Sequence, residues 1–526
     1  MPTFKLDDRE ITFNPGETII AAARTAGQEI PHYCWHPGLS VAANCRMCLV
    51  EIEPAPGQRA MMLDVLDWDA TLGDYVPRRK PKLQPSCQIV VTEGMVVRSN
   101  SSPHVTEARK SVQEFLLLNH PVDCPICDQA GECKLQDYWM EHGQFGKRMH
   151  DEPVHKPKAV EFGPTIVYDA ERCVMCTRCI RFMDEVAKDP VLEMRERGNL
   201  NEIMVAPGRE LTGHYTFMVD HVCPVGALTT KDFRFKSRVW FLKTHDSICQ
   251  GCATGCNTHL DVDPRENSAY RLRPRENMAV NKFWMCDEGM MTYRATSEGR
   301  TVDHLVSGQV VTSDTALKEV QARFGGTPPN EIGILLSSQA SLEDNWALLE
   351  LARTHIGTKH VFFTGAANGY ADDILIHADK NSNRNGVKLL APHAKDLHEL
   401  IQSVAGGVVT RLIVLANDAD DAAVAAKLAG RLDTTIYLSS ASNPFVSEGR
   451  GIVFPICGWA EASGTYINQH GTAQVAKKAL EPRGSARPGW EVISKIAAAL
   501  GFTTGWTKLK EVRGKLPVTM STTVAE

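Results

Sequence analysis

The sequence predicts an α+β protein of several domains, a thiol-rich first part followed by an α/β second part. Three observations carry this. The chain has 526 residues, roughly three or four domains at ordinary domain size. Fifteen of its sixteen cysteines lie between Cys34 and Cys286. From about residue 300, apolar runs (IGILL, HVFF, LIVLA, TIYLS) alternate with helical patterns such as LEDNWALLELARTHI and DAAVAAKLAGRL. That alternation implies a largely parallel sheet.

Hydrophobic content of 43% and charged content of 23% are ordinary for a globular protein with a real core. A net charge of −6 argues against nucleic acid as a partner, because phosphate binding needs a basic surface. No apolar run is long enough to span a bilayer. The start, MPTFKLDDREITF, lacks the apolar stretch of a secretory signal. The tight C-x2-C repeats read as metal ligation in a reducing compartment rather than as a disulfide framework.

At the N-terminus FKL and ITF read as two short strands joined at Asp7-Asp8. A helix is expected over about Glu17 to Ala26, with Gly27 as its C-terminal cap. Cys34, Cys45 and Cys48 follow in C-x10-C-x2-C spacing before a strand, CLVEIE, and Cys87 completes a set of four. A thiolate loop ahead of a strand plus one remote cysteine is what a plant-type 2Fe–2S site needs in outline. A ten-residue loop is loose for a zinc knuckle. Residues 49–86 hold a long insertion (about 54–85) with LDWDATLGDYV and PRRKPK. It reads as a surface excursion, either packed on its own domain or anchored to a neighbouring subunit by Trp68 and Tyr75.

His120, Cys124, Cys127 and Cys133 form an H-x3-C-x2-C-x5-C group in fourteen residues. Ala108, Val112, Phe115 and Leu116 are expected on one face of a helix that delivers His120 just past its end. Taken alone the group suits structural zinc as well as an iron–sulfur cluster. His142, His150 and His155 read as surface or packing residues, since the sets are complete without them.

Cys173, Cys176 and Cys179 stand in C-x2-C-x2-C spacing, with Cys223 in a remote Cys-Pro, the bacterial ferredoxin form. Arg172, Arg178 and Arg181 flank it; they either offset cluster charge or simply solvate a loop. After a strand-like RVWFLKT comes the fourth set, Cys249, Cys252, Cys256 and Cys286, with a hairpin-like piece, HLDVDPRENSAYRLRPREN, inside it. A second ferredoxin-like 4Fe–4S site is the better reading, and a four-cysteine zinc ribbon competes with it. The α/β region shows no G-x-G-x-x-G or G-x4-G-K-[ST] pattern after its strands, so no nucleotide site is expected. Cys457 reads as a buried small apolar residue, and residues 507–526 as a frayed polar tail.

The motifs IPHYCWHPGLSVAANCRMCLVEIE, NHPVDCPICDQAGECKLQD, ERCVMCTRCIRF with HVCPVGAL, and SICQGCATGC with CDEG, taken in this order, resemble the G-subunit family of NADH–quinone oxidoreductase (respiratory complex I). Its members are the large peripheral-arm iron–sulfur subunit of that complex. The tail GWAEASGTYINQHGTAQ…PRGSARPGWEVI resembles the molybdopterin oxidoreductase superfamily.

The resemblance implies a β-grasp 2Fe–2S ferredoxin-like domain over 1–100, and a domain over 101–238 with the histidine set and the ferredoxin-type set. It also implies an additional 4Fe–4S domain over 239–298 and a shortened molybdopterin-oxidoreductase-like α/β domain over 299–526. It further implies one 2Fe–2S cluster on Cys34, Cys45, Cys48 and Cys87. Three 4Fe–4S clusters would sit on His120/Cys124/Cys127/Cys133, Cys173/Cys176/Cys179/Cys223 and, off the main electron line, Cys249/Cys252/Cys256/Cys286. The implied role is relay of single electrons from a flavin-containing, NADH-oxidising subunit toward the quinone-site subunits, with no bond chemistry on this chain. The implied place is peripheral, on the cytoplasmic face of a bacterial inner membrane, beside other peripheral-arm iron–sulfur subunits. The insertion is longer, and the C-terminal domain shorter, than the family leads one to expect; that domain would be a structural remnant.

The alternative is the electron-input subunit of a soluble NAD-linked hydrogenase or formate dehydrogenase. An iron-only hydrogenase should carry further cysteines after the last set, and only Cys457 lies past Cys286. A zinc-stapled scaffold is the reading from another class.

Overall fold

The computed structural model describes residues 1–53, 59, 61–146, 148–416, 428, 430–442 and 451–518. The chain forms two compact units, Met1–Trp240 and Phe241–Glu526.

The first unit opens with the expected hairpin. Thr3–Leu6 and Arg9–Thr12 pair antiparallel, Phe4 opposite Ile11. They enter a mixed five-stranded sheet in the order Arg9–Thr12, Thr3–Leu6, Val96–Arg98, Leu49–Glu53, Gln84–Pro85. Alternation sends Phe4, Leu6 and Ile11 to one face, where they meet Ile19, Ile20, Ala22 and Ala23 of the helix Ile19–Thr25. Past that helix Gly27 adopts a φ of +70°, and Gln28 N–H donates to the Ala23 carbonyl, the glycine C-cap anticipated.

The hairpin turn is tied down by Asp7. Its carboxylate accepts N–H groups from Ser99 and Ser101 at 2.7 and 3.1 Å, together with the Ser101 hydroxyl at 2.6 Å. This fixes the entry to the helix Pro103–Leu117, which Ser102 caps and Pro103 starts. The innermost face of that helix is largely polar. Val105, Arg109 and Gln113 are buried, whereas Phe115 is 72% exposed. The reason is partnering. Arg109 donates to Asn100 Oδ1 and Ser99 Oγ, and Gln113 donates to Tyr33 Oη at 2.7 Å, so polar side chains with fixed partners occupy the inner face.

The insertion is a separate two-stranded hairpin, Met62–Asp69 with Asp74–Pro81. Trp68 and Tyr75 pack edge to face at 5.2 Å yet stay 58% and 60% exposed. Residues 54–58 and 60 of that insertion lie outside the described residues. Further along, Leu228–Thr230, Ile166–Tyr168 and Val160–Glu161 form a three-stranded sheet beside the short helices Arg178–Glu185 and Met218–Val222.

The second unit begins with a three-stranded meander, Lys243–Ile248, Asn257–Asp263 and Ser268–Pro274, so the hairpin expected inside the fourth set is present. The run RVWFLKT is a strand only from Lys243; Val239–Phe241 makes a 3₁₀ turn. A seven-stranded sheet follows. Its order is Gln309–Val311, His304–Val306, Ile452–Pro455, Thr434–Ser439, Arg411–Ala416, Ile332–Ser337, His360–Thr364. The last five strands are parallel and the first two form an antiparallel edge.

Ile334, Leu336, Ile413, Ile436 and Phe454 pack on one face with the helices Ser313–Phe324, Leu342–Glu350 and Gly489–Ala499. Leu335, Val414, Tyr437 and Val453 pack on the other with Leu400 and Val404 of the helix Leu397–Ala405. Burial on both faces explains the continuous apolar runs. Residues 421–427 and 429 of the helical pattern DAAVAAKLAGRL lie outside the described residues. The described part of the tail is not frayed as expected: Val512 and Leu516 join the core, beside the buried Trp506. Residues 519–526 lie outside the described residues. No helix among the described residues is long and apolar enough to cross a membrane.

Candidate metal centres

The first donor set hangs on the loop between the N-terminal helix and the strand Leu49–Glu53. Ala43 and Arg46 take left-handed φ values of +50° and +60° on either side of Cys45. The N–H groups of Asn44 and Cys45 thereby turn onto the Cys34 sulfur. Cys45 donates its thiol to Cys34, and with those N–H groups it holds Cys34 down to about 5. Cys87 does the same for Cys48, down to about 7, and the donors Cys45 and Cys87 are pushed up in turn.

In the second set His120 follows the helix Pro103–Leu117, as expected. Cys124 opens a 3₁₀ turn, and Cys133 is the residue before the helix Lys134–His142. Burial keeps the His120 imidazole neutral, down to about 4, and raises the Cys133 thiol to about 11. A neutral imidazole is the ligating form. Cys127 packs against Gly226, where an added Cβ would stand 2.5 Å from its sulfur.

The third set brings Cys173, Cys176, Cys179 and Cys223 around one small cavity lined otherwise by apolar groups such as Val174, Ile203 and Leu228. Met175 and Thr177 take φ of +50° and +60°, alternating with the cysteines, and Met175 N–H points to Cys173 Sγ at 3.4 Å. Burial raises all four thiols, Cys173 to about 11.

The fourth set is buried throughout. Gly251 and Gly289 N–H groups each lie 3.3 Å from a sulfur, those of Cys249 and Cys286. A Cβ on Gly289 would stand 3.0 Å from Cys249 Sγ and 3.2 Å from Cys286 Sγ. Burial raises Cys249 to about 12.

Among the described residues no three His, Cys, Asp or Glu side chains close on a point fit for a single metal ion. The donor chemistry suits a larger cationic, thiophilic group. Thiols buried together stay neutral for want of positive charge. N–H groups aimed at sulfur and glycines kept bare beside it make a cradle for thiolates bound to iron. Cys457 is buried as expected and belongs to no set.

The arginines do not solvate a loop. Arg172 and Arg178 are 5% and 9% exposed. Arg172 forks onto Asp123, between Cys124 and His120, at 2.7 and 3.2 Å. Arg178 donates to the carbonyls of Trp35 at 2.6 Å and Val222 at 3.4 Å. Arg181 reaches the carbonyls of Cys34 and Cys176. Asn44 Nδ2 adds a bond to the Met175 carbonyl at 3.1 Å. The third loop is therefore stitched to both the first and the second. Two glycines, Gly226 and Gly289, escaped sequence reasoning. The available signal is a glycine three residues after each remote cysteine, in CPVG and CDEG.

Four family models match the chain. They are a 2Fe-2S iron-sulfur cluster binding domain (residues 1–67), the NADH-ubiquinone oxidoreductase-G iron-sulfur binding region (109–148), the ferredoxin-like domain of NADH-quinone oxidoreductase subunit 3 (163–229) and molybdopterin oxidoreductase (450–499). The NADH-quinone oxidoreductase G subunit of Streptomyces coelicolor is 34% identical over 370 residues, 69% of this chain and 40% of that protein. The G subunit of the Rickettsia felis enzyme is 27% identical over an alignment of 633 residues, 98% of this chain and 90% of that one. The mitochondrial NADH-ubiquinone oxidoreductase 78 kDa subunit of Candida albicans is 34% identical, covering 73% of this chain and 50% of its own length. The chain thus spans about half or less of the Streptomyces and Candida relatives. A chain in the crystal structure of an NAD+-reducing [NiFe]-hydrogenase is 29% identical, with 45% of this chain and 91% of that one covered and a TM-score of 0.36. The domains run from a 2Fe–2S region through 4Fe–4S ferredoxin-like regions to a molybdopterin-oxidoreductase region, and the chain belongs to the G-subunit family of the NADH–quinone oxidoreductases.

Proposed function

We propose that this chain is an electron-transfer subunit of an NADH–quinone oxidoreductase, passing single electrons from a flavin-containing subunit toward the quinone-site subunits. The observation that carries the reading is that the first three donor loops, with buried and half-buried thiols, are stitched to one another by Arg172, Arg178 and Arg181. Cys34, Cys45, Cys48 and Cys87 would hold a 2Fe–2S cluster. The His120 set, the Cys173 set and the Cys249 set would each hold a 4Fe–4S cluster. Such clusters supply one-electron carriers when bound.

The chain's own residues do the rest. Burial keeps water from most of the sulfurs, which sharpens electrostatic control. N–H groups of Met175, Gly251 and Gly289 steady thiolate charge. Neutral His120 leaves its set one charge less negative than four cysteines would. The finer division at about 100, 238 and 298 belongs to this proposal. So do a peripheral place on the cytoplasmic face of a bacterial inner membrane and a role for the α/β region in packing and orienting the sets.

Two measurements test the reading. Anaerobic reduction should bleach a visible absorption band and bring up paramagnetic signals; a protein silent to both overturns it. Redox titration of His120→Cys should show one signal moving to lower potential, and no fall would remove the assigned role of His120.

A further inference from the structure

Arg181 lies two residues past Cys179, and its guanidinium is spent on the backbone of two donor loops. Nη2 donates to the carbonyl of Cys34 at 2.6 Å and to that of Cys176 at 3.1 Å. Nη1 donates to the Ser40 carbonyl, and Nε to the Thr177 hydroxyl at 3.3 Å. Ser40 is itself fixed from its other side, its N–H donating to Glu185 at 2.8 Å. One cation thus bonds the main chain at a proposed ligand of the first set and at a proposed ligand of the third. Arg178 makes a parallel link one residue off, through Trp35 and Val222.

We infer that Arg181 is a positioning residue for electron passage between the first and third sets, fixing the gap between them and setting both potentials together. The inference rests on the cluster reading given above. Two physical arguments support it. A rigid planar fork that holds three carbonyls at once fixes a distance better than any single bond, and a lysine ammonium cannot reproduce its geometry. A positive charge adjoining both sites favours the more negative, reduced form of each. A mere structural clip would leave potentials alone.

The test uses the protein purified in its intact complex, as wild type, Arg181→Gln and Arg181→Lys. Iron and acid-labile sulfide are counted first. Their absence from the wild type ends the cluster reading itself, whatever Arg181 does. With them present, paramagnetic resonance follows potential and power saturation. In Arg181→Gln the 2Fe–2S signal and one 4Fe–4S signal should both fall in potential, and the 2Fe–2S signal should saturate at lower power as its fast-relaxing neighbour moves away. In Arg181→Lys the potentials should return toward wild type while the altered saturation persists. The inference is overturned if Arg181→Gln leaves both potentials unchanged, moves only one, or shifts the Cys249-set signal equally. Should Arg181→Gln lose a cluster, wild-type saturation in Arg181→Lys overturns it.

Discussion

The loops Cys173–Cys179 and Cys249–Cys256 have nearly the same cysteine spacing and opposite surroundings. The first is bonded outward to other donor loops through Arg172, Arg178 and Arg181. The second is bonded into the α/β region by neutral groups. Ala253 N–H meets the Asp379 carbonyl at 2.9 Å, and Gln469 N–H meets the Ala253 carbonyl at 2.7 Å. The Thr254 hydroxyl donates to the Leu375 carbonyl at 2.6 Å, and Gln474 Nε2 to the Gly255 carbonyl at 2.9 Å. Spacing identifies a donor set; neighbours decide whether it can stand between others. The third set has donor loops bonded to it from the first and second, whereas the fourth is seated on neutral groups of the α/β region.

The largest effect that sharpens this contrast is expected at Asp261, on the meander that carries the fourth loop. It is buried, with the partly exposed Arg271 and Arg273 each 2.7 Å away. Burial works against its charge, but Arg273, Arg271 and the Thr244 hydroxyl outweigh burial and hold the carboxyl down to about 2. Asp261→Asn should cost about 3 kcal/mol, because two partly exposed arginines lose the buried carboxylate between them. Thermal unfolding should show the loss, with the fourth signal failing first and the other three persisting. The carboxylate's contribution is full above its unfolded pKa near 4 and is lost as pH falls toward 2, so wild type and variant should converge there.

Arg172→Met should cost about 3 kcal/mol, since Asp123 and Asp169 lose a buried partner while Lys158 remains beside them. Here the histidine-set signal should fail first and the fourth persist, the reverse of Asp261→Asn. Asp344 offers a test of opposite sign. Burial raises its carboxyl to about 6, with Glu343 adding to the rise. The folded form therefore binds the proton more tightly than the unfolded chain, and stability falls as pH rises from about 4 to 6. Asp344→Asn should stabilise the α/β region by about 1–3 kcal/mol at pH 7, an advantage that vanishes near pH 4. Gln474→Ala should cost about 1–2 kcal/mol through the Gly255 carbonyl it leaves buried. The smallest change is expected at Trp68→Ser, within about 0.5 kcal/mol, because the hairpin's aromatic pair packs on itself at the surface.

The donor residues were legible because ligand chemistry restricts both residue type and local spacing. The parallel strands were legible for a different reason: burial on both faces leaves unbroken apolar runs at Ile332–Ser337 and Thr434–Ser439. What stayed hidden depends on long-range partners. Arg109 and Gln113 look like solvent-facing residues until Asn100, Ser99 and Tyr33 are placed beside them. Arg178 and Arg181 look like loop solvation until carbonyls from residues 34 to 40 arrive. The tail looked polar because Val512 and Leu516 stand apart among polar residues, yet each finds the core. The glycines at 226 and 289 matter only for the sulfurs packed against them, Cys127 in one case and Cys249 with Cys286 in the other.

The most direct measurement is a joint count of iron, acid-labile sulfide and zinc in the purified protein, with paramagnetic resonance on the reduced sample. The account predicts a brown protein with iron and sulfide in nearly equal amounts and separable signals from one 2Fe–2S and several 4Fe–4S centres. A colourless protein carrying zinc without sulfide, or one whose cysteines are paired as disulfides, would contradict it.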